Sequence, residues 1–90
     1  KSNGPTIAFN KNLYSLKTNQ EAQKEVGASI KELKDVGDEA FFAGATAAVN
    51  DSRLNMIFFR IGEFVYTISG QDITEQQLTN LVNLVVKKLK

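Results

Sequence analysis

The chain has 90 residues, of which 42% are hydrophobic and 23% charged, with a formal net charge of +1. This length supports one domain with one core, and the small net charge gives no indication of nucleic acid as a partner. Cysteine and histidine are both absent, which excludes disulfides, thiol nucleophiles, imidazole bases and the usual zinc ligands. We therefore expect a protein that is not an enzyme and that carries no metal or cofactor.

The amino-terminal segment is polar and then becomes strand-like. Residues 1–5 contain a Gly-Pro break, which predicts a disordered or linker remnant before a single domain at residues 6–90. The chain begins without Met and is interpreted as a processed form or a piece of a longer protein. Between Thr6 and Leu16 we predict one strand or a bent pair of short strands. No apolar run approaches the roughly 20 residues that span a bilayer, so no stable membrane insertion is expected.

The next segment has the pattern of a capped helix. Thr18 and Glu21 have the spacing of a capping box, in which two residues hydrogen-bond each other reciprocally. Gly37 is expected to end this helix in the left-handed conformation. Gly27, inside it, should cost about 1 kcal/mol relative to alanine. The apolar stripe of this helix is predicted to consist of Ala22, Val26, Ile30 and Leu33.

The most informative stretch is Leu54 to Ser69, which predicts a β-hairpin closed by a type II′ turn at Gly62-Glu63. A two-residue turn fixes the register of the two strands, and with it the two faces of the hairpin. The expected core face has the pairs Ile57–Ile68, Phe59–Tyr66 and Ile61–Phe64. The expected open face has the pairs Met56–Ser69, Phe58–Thr67 and Arg60–Val65.

A further strand and a closing helix flank this hairpin. The segment from Phe41 to Val49 is predicted to be a strand that pairs with the first hairpin strand. Its alanines are expected on the core face, in preference to the residues that alternate with them. The preferred pairs are Ala43–Ile61, Ala45–Phe59 and Ala47–Ile57, and the alternate set is Phe42, Gly44 and Thr46. The closing helix has a capping box from Thr74 to Gln77 and a hydrophobic staple between Ile73 and Leu78. Its apolar stripe is predicted as Leu78, Leu81, Val82, Val85 and Leu89, widened by Leu84 and Val86.

Together these elements predict an α+β fold in the order β-α-β-β-β-α. We expect an antiparallel sheet of about four strands with both amphipathic helices packed on one face. The other face would then be open, and Met, aromatic and Arg side chains there are typical of protein interfaces. The predicted interface consists of Met56, Phe58, Arg60 and Val65, with Phe42 as a possible addition. Alternatively, the amino-terminal segment covers this face, or the patch is small enough to tolerate exposure.

Arg60 is the one charged residue inside an otherwise apolar strand. Its guanidinium could bind a carboxylate or phosphate, pair with Asp38 or Glu39, or lie along the sheet with its stem over Phe58. The two acidic residues are adjacent, but hard cations need about six or more oxygen ligands from a recognisable loop. A turn or an ion pair is therefore favoured over a metal site.

Several short motifs occur in a familiar order between about Thr18 and Leu89. They are a charged helix, Gly37-Asp38-Glu39-Ala40, Arg60-Ile61-Gly62 and a closing amphipathic helix. This arrangement resembles small prokaryotic exported domains and lipoproteins of uncharacterised function. The resemblance implies an α+β fold, no catalytic residue and a location outside the cytoplasm, through an exported or membrane-anchored form whose leader is missing here. A cytoplasmic location is the alternative.

The functional expectation is a non-enzymatic binding or interaction domain. Its partner would be another protein or a second copy of the chain, in a homodimer across the open sheet face. The alternative is a small-ligand-binding domain with a pocket between sheet and helices. That pocket would be lined by Tyr14, Phe42, Phe59 and Tyr66.

Overall fold

A computed structural model describes residues 6–25, 27–44, 54–71 and 73–89. In chain order the elements are β1 (Thr6–Asn12), α1 (Leu16–Glu25), β2 (Ser29–Leu33), β3 (Glu39–Gly44), β4 (Leu54–Ile61), β5 (Phe64–Gln71) and α2 (Glu75–Leu89). The strands form one antiparallel sheet in the spatial order β1-β5-β4-β3-β2. The α+β class is confirmed, with five strands rather than about four. The predicted linker remnant at residues 1–5 lies outside the described residues.

The hairpin of β4 and β5 has the predicted register. Ile57 lies opposite Ile68, Phe59 opposite Tyr66, and Phe58 opposite Thr67. Gly62 has a φ of 61°, and Asp35 is the non-glycine residue with a positive φ among those described. Glu63 therefore has a negative φ, as the second central residue of a type II′ turn requires.

One face of the sheet packs against α2, and we call it the α2 face. Ile57 and Phe59 have no exposed surface and lie in one cluster with Leu78 and Val82 of the helix. The predicted capping box is confirmed, because the Gln77 N–H donates to Thr74 Oγ1 at 3.1 Å and the Thr74 N–H donates to Gln77 Oε1 at 3.1 Å. Ile73 and Leu78 are both buried in this cluster, as the staple requires.

The opposite face packs against α1, and we call it the α1 face. Phe41, Ala43 and Phe58 form its buried centre, with Leu16 of α1 packed against them. The prediction that both helices share one face is therefore wrong. The chain leaves β1 at one edge of the sheet and enters β2 at the other edge, so the intervening α1 crosses a face. Since β4 carries apolar side chains on both faces of the sheet, each helix buries the side chains on one face.

The first helix is shorter than predicted and begins earlier. Ser15 is the N-cap, because its Oγ accepts a hydrogen bond from the Thr18 N–H at 3.2 Å, so Thr18 is not the cap. Gly27 ends the helix with a φ of 84°, and its N–H donates to the Lys24 carbonyl at 3.1 Å. The Ala28 N–H donates to the Gln23 carbonyl at 3.0 Å, which completes a Schellman motif. Gly27 therefore belongs to the helix end rather than to its interior.

The residues that follow this helix end form a strand. Ile30 and Leu33, predicted to share a helical stripe, lie in β2 and contact the clusters on opposite faces of the sheet. Gly37 has the expected positive φ, of 58°, but it lies in the loop before β3 rather than at a helix end.

The register between β3 and β4 differs from the preferred one. Ala40 lies opposite Phe59 and Phe42 opposite Ile57, while Ala43 lies opposite Met56 on the α1 face. The preferred alanine pairing is therefore wrong. The alternate set is correct in placing Phe42 on the same face as Ile57. The rest of the predicted strand, at residues 45–49, lies outside the described residues.

Candidate functional site

The predicted interface residues do not form an open surface. Phe58 is 3% exposed and Val65 is 6% exposed, while Met56 and Arg60 are half-buried. The Phe58 ring stacks on Phe41 with ring centroids 4.8 Å apart, in the cluster that Leu16 of α1 covers. This face is covered by the helix α1 and not by the amino-terminal segment that the alternative named. The prediction of an open-face interface at these four residues is therefore wrong.

Arg60 pairs with both acidic residues that the sequence offered. Its Nε donates to Glu39 Oε1 at 3.0 Å, and its Nη1 lies 3.7 Å from Asp38 Oδ2. The same Nη1 donates to the Gly62 carbonyl at 2.8 Å. The guanidinium is thus held within the fold by two carboxylates and one backbone oxygen. Its role is structural cross-linking of the β3–β4 end of the sheet, which matches the ion-pair interpretation.

The two short motifs of the resemblance contact each other. The Gly62 N–H donates to Asp38 Oδ2 at 2.7 Å, and the Asp38 N–H donates to the Arg60 carbonyl at 2.8 Å. A Cβ on Gly37 would lie 2.7 Å from that same carbonyl oxygen, so the close approach requires glycine. Among the described residues, no group of three or more acidic side chains is placed to hold a metal ion. Together the two motifs join the start of β3 to the hairpin turn by hydrogen bonds.

The residues predicted to line a ligand pocket are separated. Phe42, Phe59 and Tyr66 belong to the core cluster on the α2 face. Tyr14 lies in the loop after β1, is 64% exposed, and lines a groove with Arg60 and Val65, whose side chains lie on the α1 face. That groove has a volume of about 420 Å³. A second groove of about 460 Å³ lies between α1 and the segment from Glu32 to Phe41.

Exposed apolar side chains are concentrated along β1 and beyond its end. Seven large hydrophobic residues are exposed among those described: Ile7, Phe9, Leu13, Tyr14, Phe64, Leu84 and Leu89. The first four lie on β1 and the loop that follows it, and Phe64 begins β5, the strand beside β1. The last two lie on α2. Sequence reasoning missed this surface because it did not place β1 at an edge of the sheet, although the Ile7-Ala8-Phe9-Asn10 alternation was visible.

The loop from Leu13 to Ser15, which we call the tip loop, is held in place by two asparagines. The Tyr14 N–H donates to Asn12 Oδ1 at 3.0 Å, and Asn19 Nδ2 donates to the Tyr14 carbonyl at 3.2 Å. Asn12 Nδ2 also donates to Thr67 Oγ1 on β5 at 3.0 Å and to Asn19 Oδ1 at 3.2 Å. The loop is therefore tied to both the sheet and α1.

Comparison of the chain with protein families, with curated proteins and with solved structures finds no match. In the part of the chain that the structure describes, no helix is both long and apolar enough to cross a bilayer. The resemblance to exported prokaryotic domains stays a prediction. The candidate functional surface therefore rests on the geometry of the tip loop and of β1.

Proposed function

We propose that this chain is a non-enzymatic binding domain that acts by contact with a protein partner, with the tip loop as its anchor. The observation that carries this proposal is the exposure of Leu13, at 94%, and of Tyr14, at 64%, on a loop whose backbone is fixed by side-chain hydrogen bonds. Aromatic and aliphatic anchors in a rigid setting lose little entropy on binding and dominate many protein interfaces.

The backbone of the tip loop is prepared for burial. Both the N–H and the carbonyl of Tyr14 have hydrogen-bond partners within the domain. A partner that covers the loop would therefore leave neither backbone group unsatisfied, which removes a desolvation cost of about 1–3 kcal/mol per group. Transfer of a fully exposed leucine side chain into an apolar cleft contributes about 1.5–3 kcal/mol. These two effects favour contact through this loop.

The charges beside the tip loop favour a protein over a membrane. The adjacent groove of about 420 Å³ is lined by Lys17 and Glu63 as well as by the Arg60–Glu39 ion pair. Opposite charges in the same groove cancel much of the attraction to an anionic lipid surface. A protein with an apolar cleft, rimmed by groups of both charges, fits this arrangement.

We also propose that the domain acts outside the cytoplasm. It is supported by the resemblance of Gly37–Ala40 and Arg60–Gly62 to motifs of exported prokaryotic domains. A cytoplasmic binding domain is the alternative, and the surface chemistry of the tip loop is compatible with either location.

Site-specific photo-cross-linking tests this function. A benzophenone amino acid replaces Tyr14, or replaces Leu84 as the control, since Leu84 is 59% exposed on α2. In cells that produce the protein, position 14 should give a discrete protein adduct that disappears when Leu13→Asp is added. The control position should not give that adduct. Absence of an adduct at position 14, or the same adduct from both positions, would contradict the proposal, and a small-ligand-binding domain would give that negative result.

A further inference from the structure

We infer that β1 pairs with β1 of a second copy of this chain, so that two five-stranded sheets join into one. The surface involved is the outer edge of β1, which is separate from the tip loop of the proposed function. The occupant is a second copy, because the geometry and the side chains of this edge are self-complementary and its charge does not oppose pairing.

The two edges of the sheet differ in their protection. Edge strands are normally kept apart by shortness and by charged side chains. β2 has five residues, two of which are charged, and Lys31 Nζ binds Glu75 Oε2 at 2.9 Å. β1 has seven residues and one charge, Lys11, next to its last residue. The segment from Thr6 to Asn10 therefore has no charge that would oppose pairing with another strand.

Among the described residues, α1 lies mainly over β2, β3 and β4, and α2 lies mainly over β4 and β5. The helix α1 meets β1 at its last residue, through the Asn12–Asn19 hydrogen bond. Residues 7–11 are all exposed, and Ile7 and Phe9 keep 43% and 47% of their surface accessible. The Phe9 ring stacks on Tyr66, with centroids 5.6 Å apart, which fixes its orientation beside the edge. An exposed strand at the edge of a sheet is a template for a further strand.

Two-fold symmetry fits this edge. Two identical edge strands related by a two-fold axis run antiparallel, as every pair in this sheet does. With the axis at Ala8, Ile7 lies opposite Phe9 of the second copy, and the reverse pair forms by symmetry. Aromatic and β-branched side chains make favourable cross-strand pairs. Lys11 falls outside these pairs, and a net charge of +1 produces little repulsion between copies.

Disulfide trapping tests the register. The chain contains no cysteine, so Ala8→Cys introduces a single thiol that would lie opposite its own copy. Directly opposed residues in an antiparallel pair lie about 4.5–5.5 Å apart, within the range of a disulfide. Asn10→Cys is the matched control, because its position is exposed on the same face but would be offset from its copy by about 13 Å along the strands. We expect a disulfide-linked dimer from Ala8→Cys to form about tenfold or more faster than from Asn10→Cys. Equal trapping, or no trapping at either position, would overturn the inference.

Sedimentation across a concentration range provides the second measurement. The native chain should dimerise reversibly, and Ile7→Lys should weaken dimerisation by about tenfold or more because symmetry removes both Ile–Phe pairs. Leu84→Lys, at an exposed position on α2, should leave dimerisation unchanged. A folded native monomer at every concentration, or equal effects of the two variants, would refute the pairing. If Ile7→Lys does not fold, the disulfide result decides.

Photo-cross-linking and sedimentation of the same variants separate this inference from the proposed function. Leu13→Asp should abolish the partner adduct at the tip loop and leave the dimer intact. Ile7→Lys should weaken the dimer and leave the partner adduct intact. Loss of the dimer in Leu13→Asp would show that the tip loop, rather than the edge of β1, joins the copies.

Discussion

Replacement of Phe58 by alanine tests the account of the α1 face. The ring is 3% exposed and stacks on Phe41 with centroids 4.8 Å apart and planes 14° apart. Removal of a buried phenylalanine ring costs about 3–5 kcal/mol through lost transfer energy and the cavity that remains. A 90-residue domain has an unfolding free energy of about 5–13 kcal/mol. The variant should therefore lose about a quarter or more of the stability of the protein.

Urea unfolding followed by circular dichroism measures this loss. With a denaturant slope of about 1–2 kcal/mol per molar, the midpoint should fall by about 1.5 M or more. Phe64→Ala is the matched control, because its ring is 49% exposed, and its loss should stay below about 1.5 kcal/mol. If Phe58→Ala costs no more than Phe64→Ala and instead weakens self-association, Phe58 is an exposed contact residue and the packing of α1 is wrong.

Two smaller predictions concern backbone geometry and follow the same assay. Gly37→Ala should cost about 1–3 kcal/mol, because the new Cβ would lie 2.7 Å from the Arg60 carbonyl oxygen at a φ of 58°. Gly27→Ala, where the Cβ meets no atom within 4 Å, should cost less; an equal cost would remove the close-approach argument. Thr74→Ala should lower the free energy of unfolding by about 1 kcal/mol, because the cap of α2 is lost. Thr74→Ser, which keeps the hydroxyl, should retain most of that stability. Equal stability of these two Thr74 variants would contradict the role of the hydroxyl.

The hairpin could be predicted from the sequence because its turn is short. Two residues between strands leave one register, and Gly62 supplies the positive φ that the turn requires. The cap and staple of α2 were predictable for the same reason, since both depend on local spacing. Local chemistry thus determined these elements.

Non-local choices could not be predicted in this way. Ile30 and Leu33 fit a helical stripe by spacing, and only the Schellman motif at Gly27 separates α1 from β2. The register of β3 depends on the connection to β4, and no short turn fixes it there. The burial of Phe58 depends on the path of α1 across the sheet, which the sequence pattern does not specify. These are tertiary effects that override local periodicity.

The candidate surface was predictable only in part. The Arg60 ion pair was among the sequence-based interpretations, and the structure confirms it with both acids. The tip loop was not predicted, because its attachment to the sheet depends on the hydrogen bond between Asn12 and Thr67, which lie far apart in sequence. The edge position of β1 also follows from pairing with β5, the last strand of the chain.

Amide hydrogen exchange at low and high protein concentration tests the central claim most directly. We expect amides of β1 to gain protection as the protein concentration rises, while those of β2, the other edge, do not change. Protection gained at β2 instead, or an unchanged pattern at β1 throughout, would contradict the claim that β1 is the contact edge of this domain.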